Sequence, residues 1–440
     1  MEQQQKNYTD RRRDALQKMK TGYDALLKNI HDNLAYFAPG ADEDNKSMFL
    51  DEPEFKDKRK ELKNLVQSMI EIIEQSNNAQ QAQSLASEKA KEAHSLKKKN
   101  LSKIIDEAKP LEKSYRELDL FFRNAGPRML DHVTIVNIDR SLVSDSDDET
   151  LPSKVRDILS EPHLRIDQDN VYSLLAIPGF VGEKLIQQYA DIAYDNKVIF
   201  LTDYKDLPTV ESTLQYRSSL EGQKIGGSSK SWSRTSVFAN WIRMRDKYAD
   251  LGEKDAMFGS PAMAIAGKLY ASRISQPAAG IQYGEVKASG GLRYNLNQPQ
   301  VGLLAKTGLN PMANFYQQDS PWEATTLFDG ENLELKHYAV VRTLDWIDKT
   351  MKHYLGKHTF ELLDAAKRDV IHKRLVRFFD DLVEQKIIQK GNLTRFERNK
   401  DRADRVDIDF LITPLWATRT FVYKIGVSRD APFESEMSNK

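Results

Sequence analysis

VYSLLAIPGFVGEKLIQQYADIAYDNKVIFL, residues 171–201, is the stretch on which the fold turns. Residues 171–177 are short and apolar, which suits a buried strand. Pro178-Gly179 follows that strand, and Leu185, Ile186, Tyr189 and Ile192 then recur at helical spacing. Asn196 ends the helix, and Val198, Ile199, Phe200 and Leu201 make another strand. Strand, helix, strand at this spacing is a βαβ unit, so part of the sheet is expected to be parallel. Upstream, residues 133–138 (VTIVNI) are β-branched and predict a further buried strand. Residues 145–149 (DSDDE) predict an acidic surface loop.

The first third reads as helix. Over residues 54–75, Phe55, Leu62, Leu65, Val66, Met69, Ile70 and Ile73 fall at helical spacing among Lys, Arg and Glu. An earlier helix is expected over about residues 11–37, ending before the breaker pair Pro39-Gly40. Residues 75–99 are rich in Gln, Ala, Ser, Lys and Glu, so they form either a solvated helix or a flexible connector. We favour a helix that gains order from a partner. A further helix should run through Leu111, Tyr115, Leu118 and Phe122 to Gly126-Pro127.

Two long helices are expected late in the chain. Residues 338–355 place Val340, Val341, Leu344, Ile347, Met351 and Tyr354 on one face, with Asp345–Lys349 and Asp348–Lys352 in the favourable acid-first order. Residues 363–388 repeat the design with Leu375, Phe378, Phe379 and Leu382, supported by Asp364–Arg368 and Asp369–Lys373. The end of the chain is β again. Val406, Ile408, Phe410 and Ile412 alternate with Asp407, Asp409 and Leu411, and after Pro414 the residues Phe421, Tyr423 and Ile425 alternate with Val422 and Lys424.

Composition narrows the function. The 440 residues can hold two or three domains. Lys+Arg and Asp+Glu balance at 65 each, so the long-range field that draws a protein to nucleic acid or an anionic membrane is missing. The absence of cysteine fits a reducing compartment. The polar start MEQQQKNYTDRRRD has no apolar core of a secretory signal. No run approaches the roughly 20 apolar residues of a spanning helix. A soluble, cytoplasmic protein is expected, with no nucleic-acid partner and no membrane insertion.

Catalytic chemistry has little footing. No histidine spacing matches HExxH, and no GxSxG or GxGxxG occurs. His353 and His358 read as surface histidines. The nearest thing to a phosphate loop is Ala262-Met-Ala-Ile-Ala-Gly-Lys268, but Leu269 stands where a hydroxyl is needed for magnesium. Pro178-Gly179 could offer backbone N–H groups to an anion, though a tight βα turn explains it. Trp232, Arg234, Trp241, Arg243 and Arg245 mix rings and cations as a single-strand binder does. Against this, Val237, Trp241, Met244 and Tyr248 form a helical stripe, which favours a core role. The expectation is no enzyme, no catalytic residue, no cofactor and no metal site.

Several segments together resemble one family: Arg116-Glu-Leu-Asp-Leu-Phe-Phe122, Tyr172-Ser-Leu-Leu-Ala-Ile-Pro-Gly-Phe180, Ser260-Pro-Ala-Met-Ala-Ile-Ala-Gly-Lys268 with Ser275-Gln-Pro-Ala-Ala-Gly280, Val341-Arg-Thr-Leu-Asp-Trp-Ile347, and Asp407-Ile-Asp-Phe-Leu-Ile-Thr-Pro-Leu415 through Phe421-Val422. In this order they resemble the large contractile-sheath subunit of bacterial type VI secretion systems, the TssC/VipB family, in the form found in Bacteroidota. The resemblance implies a helical polymer of copies of this chain with a small sheath subunit (TssB/VipA-like). That polymer surrounds an inner tube (Hcp-like protein), contracts from a baseplate, and is taken apart by a separate ATPase (ClpV-like).

The fold expected is mixed α+β and α/β. Residues 1–126 form a helical region packing with the small subunit, through Leu62, Leu65, Met69, Ile73, Leu118 and Phe122. Residues 127–330 form an α/β sheath core, a mixed sheet with the βαβ unit flanked by long helices. Residues 331–440 form a helical pair and C-terminal strands, whose Val406, Ile408, Phe410, Ile412, Phe421, Tyr423 and Ile425 join an intersubunit sheet. Residues 1–7 are polar and poor in β-formers, so which residues form any N-terminal link stays open. The alternatives are the sheath of a phage-like tail or extracellular contractile particle, an enzyme with a nucleotide pocket near Pro178 or Gly267, and a helical cytoplasmic adaptor.

Overall fold

The computed structural model describes residues 2–28, 52–126, 133–138, 141–144, 150–164, 171–419, 421–427 and 431–437. They fall into two compact units, Met1–Glu107 and Ala108–Lys440.

The first unit is helical. Helix α1 (Glu2–Lys28) packs on α2 (Lys56–Gln75), whose Val66 and Ile70 are buried. The Tyr8 hydroxyl meets the Ser76 hydroxyl at 3.0 Å, and Arg12 donates to the Glu74 carbonyl at 2.6 Å. A cation at the C-terminus of α2 is where the helix dipole and its open carbonyls favour one. Helix α1 begins nine residues before the expected Arg11, and the expected break at Pro39-Gly40 lies outside the described residues. Residues 2–7 therefore belong to a helix rather than an extended arm.

Helix α3 runs unbroken over Ala79–Ala125, so the helix favoured for residues 75–99 and the further helix expected through Phe122 are one element. Its Ala, Gln, Lys and Glu are strong helix formers, which is enough to keep residues 79–99 helical while largely exposed. Pro110 sits inside it. On either side of that proline, Lys109 pairs with Glu253 at 2.9 Å, and Arg245 reaches Glu112 at 2.8 Å and Glu253 at 2.6 Å. Those ion pairs, with Leu120 in the core, hold the helix where an interior proline would favour a break.

The second unit contains a five-stranded sheet. After α4 (Thr150–Leu164) come β1 (Leu174–Phe180), α5 (Glu183–Asp195), β2 (Ile199–Asp203), β3 (Thr235–Ala239), α6 (Pro261–Ala271), β4 (Leu309–Phe315) and β5 (Gln318–Pro321). The spatial order follows the sequence, β1-β2-β3-β4-β5; the first four strands are parallel and β5 returns antiparallel. The βαβ unit is present as expected. Both faces are covered, as a parallel sheet requires. Phe200, Val237, Ala239 and Leu309 meet α5, while Ile199, Leu201, Phe238 and Met312 meet α6, Leu120 of α3 and Tyr338.

Three local expectations are corrected. Residues 133–138 pair with no strand among the described residues, and Val133, Ile135 and Ile138 are exposed. Their β-branched run is locally fit for a strand, but a strand needs a hydrogen-bonded neighbour. Pro178-Gly179 lies inside β1 rather than after it. Gly179 has φ +92°, and the register with β2 shifts there, so the pair forms a bulge. The stripe Val237, Trp241, Met244, Tyr248 is not helical: β3 ends at Ala239, Asn240 has φ +72°, and a second strand covers Ile242–Arg245. Its core role holds for Trp232, Val237 and Trp241, all buried.

A third layer follows. Helix α7 (Tyr338–Gly356) and α8 (Ala365–Glu384) pack with the hairpin β6 (Ile388–Arg398) and β7 (Val406–Pro414), and a last hairpin pairs β8 (Phe421–Val427) with β9 (Ala431–Met437). Asp364 caps α8, accepting from the Lys367 N–H at 2.7 Å. The helix stops at Glu384, so β6 begins where residues 363–388 were expected to be helical throughout.

Candidate assembly surfaces

The C-terminal hairpins are the first surface. In β7, Ile408, Phe410 and Ile412 turn toward α8, where the Phe410 and Phe379 rings lie 4.9 Å apart. The alternation read from the sequence is therefore real, but its apolar side seats the hairpin on its own helix. Val406 is half-buried at the start of the strand, and Leu411 on the opposite side is 63% exposed. On that opposite side Asp407 is enclosed by Asn399, Arg405 and Arg395, and hydrogen bonds from Asn399 and Arg405 hold its carboxyl below the usual carboxylate range.

Phe421, Tyr423 and Ile425 lie on β8, and their side chains are outside the described residues. Each hairpin is a two-stranded sheet among the described residues, so the outer edges of β6, β7, β8 and β9 carry no strand partner there. Open edges of this kind are templates for another chain's strand.

The chain between the hairpins is fixed to the core. Trp416 packs edge-on against His337 with centroids 5.2 Å apart, and Arg419 pairs with Glu323, whose side chain is 1% exposed. Burial pushes the Glu323 carboxyl up, opposed by Arg419. Burial, then the Arg419 and Lys336 charges, pull His337 down to about 4, so the ring is neutral near pH 7. Sequence reading missed all four residues. An arginine between two strands carries no motif, and its partner is 96 positions away.

The helices supply further surface. On α2, Leu62 and Ile73 are half-buried while Leu65 and Met69 are exposed, at 54% and 40%. In the second unit, α3 presents Leu111, Tyr115, Leu118 and Phe122 at helical spacing, exposed except for the half-buried Leu118. The expected packing residues Leu62, Leu65, Met69, Ile73, Leu118 and Phe122 thus occupy separate helices of separate units.

The places suspected of nucleotide chemistry are occupied by the chain itself. The Gly179 N–H donates to Asp203 at 2.8 Å, and Asp203 also accepts from the Ala262 N–H at the start of α6. Burial lifts Asp203 to about 7. Gly267 faces α3 so closely that a Cβ there would lie 2.3 Å from the Phe121 carbonyl oxygen, so the glycine serves a helix crossing. Arg234 is bonded to Asp345, Arg243 to the Gly290 carbonyl, and Arg245 to Glu112 and Glu253. No cluster of residues that could hold a metal occurs among the described residues. Nor is any helix among them long and apolar enough to cross a membrane.

Comparison with known proteins places the chain. Three family profiles match consecutive stretches: the TssC/VipB-like N-terminal region over residues 10–101, the type VI secretion system TssC/VipB central domain over 103–329, and the TssC/VipB-like C-terminal domain over 337–437. The chain belongs to the TssC/VipB family. A TssC/VipB protein is the large subunit of the type VI secretion sheath, and this chain is accordingly a contractile injection sheath subunit.

Its fold agrees. The contracted helical sheath of the anti-feeding prophage superposes with a TM-score of 0.52 at 15% identity, over 70% of this chain and 81% of that one. A chain of the anti-feeding prophage baseplate gives 0.51 at 15% identity, over 71% and 80%. A search among curated proteins finds no match. The family and its structural neighbours are structural sheath proteins.

Proposed function

We propose that this TssC/VipB chain polymerises helically with copies of itself and a small sheath subunit (TssB/VipA-like) around an inner tube (Hcp-like). The reading further holds that the sheath contracts from a baseplate to propel the tube, in the bacterial cytoplasm, without catalytic activity of its own. A separate ClpV-like ATPase disassembles the contracted form. The observation that carries this reading is the pair of C-terminal hairpins with open edges. The β8–β9 hairpin is a two-stranded sheet by itself among the described residues, an arrangement marginal in water, and another chain's strand is the simplest completion. In this reading Val406, Ile408, Phe410 and Ile412 orient β7 while its backbone edge links subunits, and Phe421, Tyr423 and Ile425 do the same on β8. The exposed Leu65 and Met69 with Leu62 and Ile73, and Leu118 with Phe122, receive the helices of the small subunit.

The balanced charge of 65 against 65 supports the contraction step, since neither the extended nor the contracted lattice suffers gross self-repulsion. The test is co-expression with the small subunit followed by electron microscopy, where hollow cylinders are expected. A persistent monomer or small oligomer, with the partner confirmed present, overturns the reading. Deleting residues 420–440 should leave folded subunits that do not polymerise, and wild-type polymer yield from that truncation refutes strand exchange through β8 and β9.

A further inference from the structure

Helix α7 carries an acid and a base at positions 345 and 349, and the tertiary structure separates the ion pair their spacing predicts. Both oxygens of Asp345 accept from Arg234, at 2.8 and 2.5 Å. Lys349 instead donates to the main-chain oxygens of Tyr172 and Lys197, at 2.7 Å each. Two turns back along the same helix, Arg342 is 6% exposed, and its Nη2 donates to the Leu269 carbonyl at 2.6 Å. Its Nε and Nη1 have no hydrogen-bond partner. Arg342 and Lys349 line a cavity of about 300 Å³ at the N-terminal ends of β1 and β2.

The charges there do not cancel. Lys197 also lines the cavity, but it pairs with Asp348, and Asp345 is held by Arg234. Arg342 and Lys349 remain as buried cations with no carboxylate bonded to either among the described residues. Desolvating a charge costs several kcal/mol unless a counter-charge or well-made hydrogen bonds offset it. That strain shows in both groups: burial pulls Lys349 down to about 8 and Arg342 to about 10. A planar guanidinium with unused N–H groups is, however, the side chain best suited to grip an oxyanion. Val171, Ile199, Ile274 and Trp346 give the lining an apolar part that suits a hydrocarbon stem behind the anionic head, beside the polar Ser173, Asp345, Thr350 and His353.

We infer that this cavity is a carboxylate-binding site, with Arg342 as the gripping donor and Lys349 as the second cation. The carboxylate has two available sources, a small dissolved acid or the side chain of an Asp or Glu from another chain of the assembled sheath. The second source rests on the polymer reading above; the first does not.

The experiment uses the full-length chain, with glutarate as the probe for a carboxylate on a hydrocarbon stem. Melting is followed while glutarate replaces chloride at constant ionic strength, for wild type and Arg342→Met, and each form is then co-expressed with the small subunit and imaged. A saturable rise in wild-type melting temperature that is lost in Arg342→Met supports the site and assigns a dissolved acid. A flat response, with cylinders lost in Arg342→Met while its subunit melts at or above the wild-type temperature, supports the site and assigns a neighbouring chain. A purely structural Arg342 would instead lower the melting temperature on substitution. A flat response together with wild-type cylinders from Arg342→Met overturns the site, as does a variant that is simply destabilised with no anion dependence in either form.

Should Arg342→Met fail to fold, Arg342→Lys keeps the charge but not the fork. It should weaken the glutarate response about tenfold or reduce cylinder yield to a similar degree, and wild-type behaviour in both measurements overturns the site. Wild-type cylinders are the control for the polymer reading. If wild type forms none, that reading fails, while the melting response still decides the site.

Discussion

Arg419→Ala tests how the last strands are launched. The Glu323 carboxylate is 1% exposed and Arg419 is the only cation bonded to it among the described residues, with about half of the Arg419 side chain in water. Removing one partner of a buried ion pair costs about 3–5 kcal/mol, and the solvent-facing half of this pair scales the expectation down to about 2–3 kcal/mol. Glu323→Gln removes the charge that needs a partner and should cost about 1 kcal/mol, the scale of a weakened hydrogen bond. The double variant should then lie close to Glu323→Gln alone, with a coupling of at least about 1 kcal/mol.

Urea unfolding followed by tryptophan fluorescence reads all four proteins. Function separates from stability in the double variant. It regains most of the stability lost in Arg419→Ala, yet the start of β8 is still untethered, so cylinder yield should stay low. Equal unfolding midpoints for wild type and Arg419→Ala, or full cylinder yield from the double variant, would refute the reasoning.

Further outcomes follow from the geometry. Gly267→Ala should destabilise the second unit by about 1–3 kcal/mol because the new Cβ meets backbone at 2.3 Å, outweighing a helix-propensity gain of at most about 1 kcal/mol; a more stable variant in urea would refute the close crossing. Leu65→Glu with Met69→Glu should change subunit stability by no more than about 0.5 kcal/mol each while cutting co-purification of the small subunit at least about tenfold, whereas Ile70→Ala should cost about 2–4 kcal/mol. Undiminished co-purification from the charged pair would argue against that surface. Asp203 rises from about 3.9 in the unfolded chain to about 7 in the folded one, so between those values the folded chain holds a proton that the unfolded chain has lost. This group therefore subtracts stability as pH rises from about 4 to 7, and no more above that. The stability of wild type minus Asp203→Asn should fall across that window, and a difference that rises with pH would contradict the burial of this carboxyl.

Residues 171–201 show how much of the fold is local. Apolar runs, a helical stripe and a stop at Asn196 are each short-range, and the β1–α5–β2 unit follows from them. The ordered segments from Arg116 to Val422 resembled the sheath family for a related reason, since they are mostly residues of the buried sheet and its covering helices. Where the reading failed, the deciding partner was distant. Residues 133–138 have strand character but no neighbouring strand among the described residues, and the helical spacing over residues 237–248 is broken between β3 and a separate short strand, Ile242–Arg245. The β6 strand, with Gly391 and many charges, resembles a strand only beside β7.

The candidate surfaces divide the same way. Alternation in β7 and the stripe on α2 were legible from spacing, because side-chain direction follows from backbone period alone. Which side of each is free was not, since Ile408 and Phe410 meet α8 and Val66 meets α1, and only packing decides that. Asp345 and Lys349 stand four apart, and the sequence by itself determined that they share a helix face. The tertiary structure decided that each would turn to a different partner, because Arg234 and the carbonyls of Tyr172 and Lys197 reach that face from distant parts of the chain. Periodicity carries the direction of a side chain, while long-range folding alone sets what it meets.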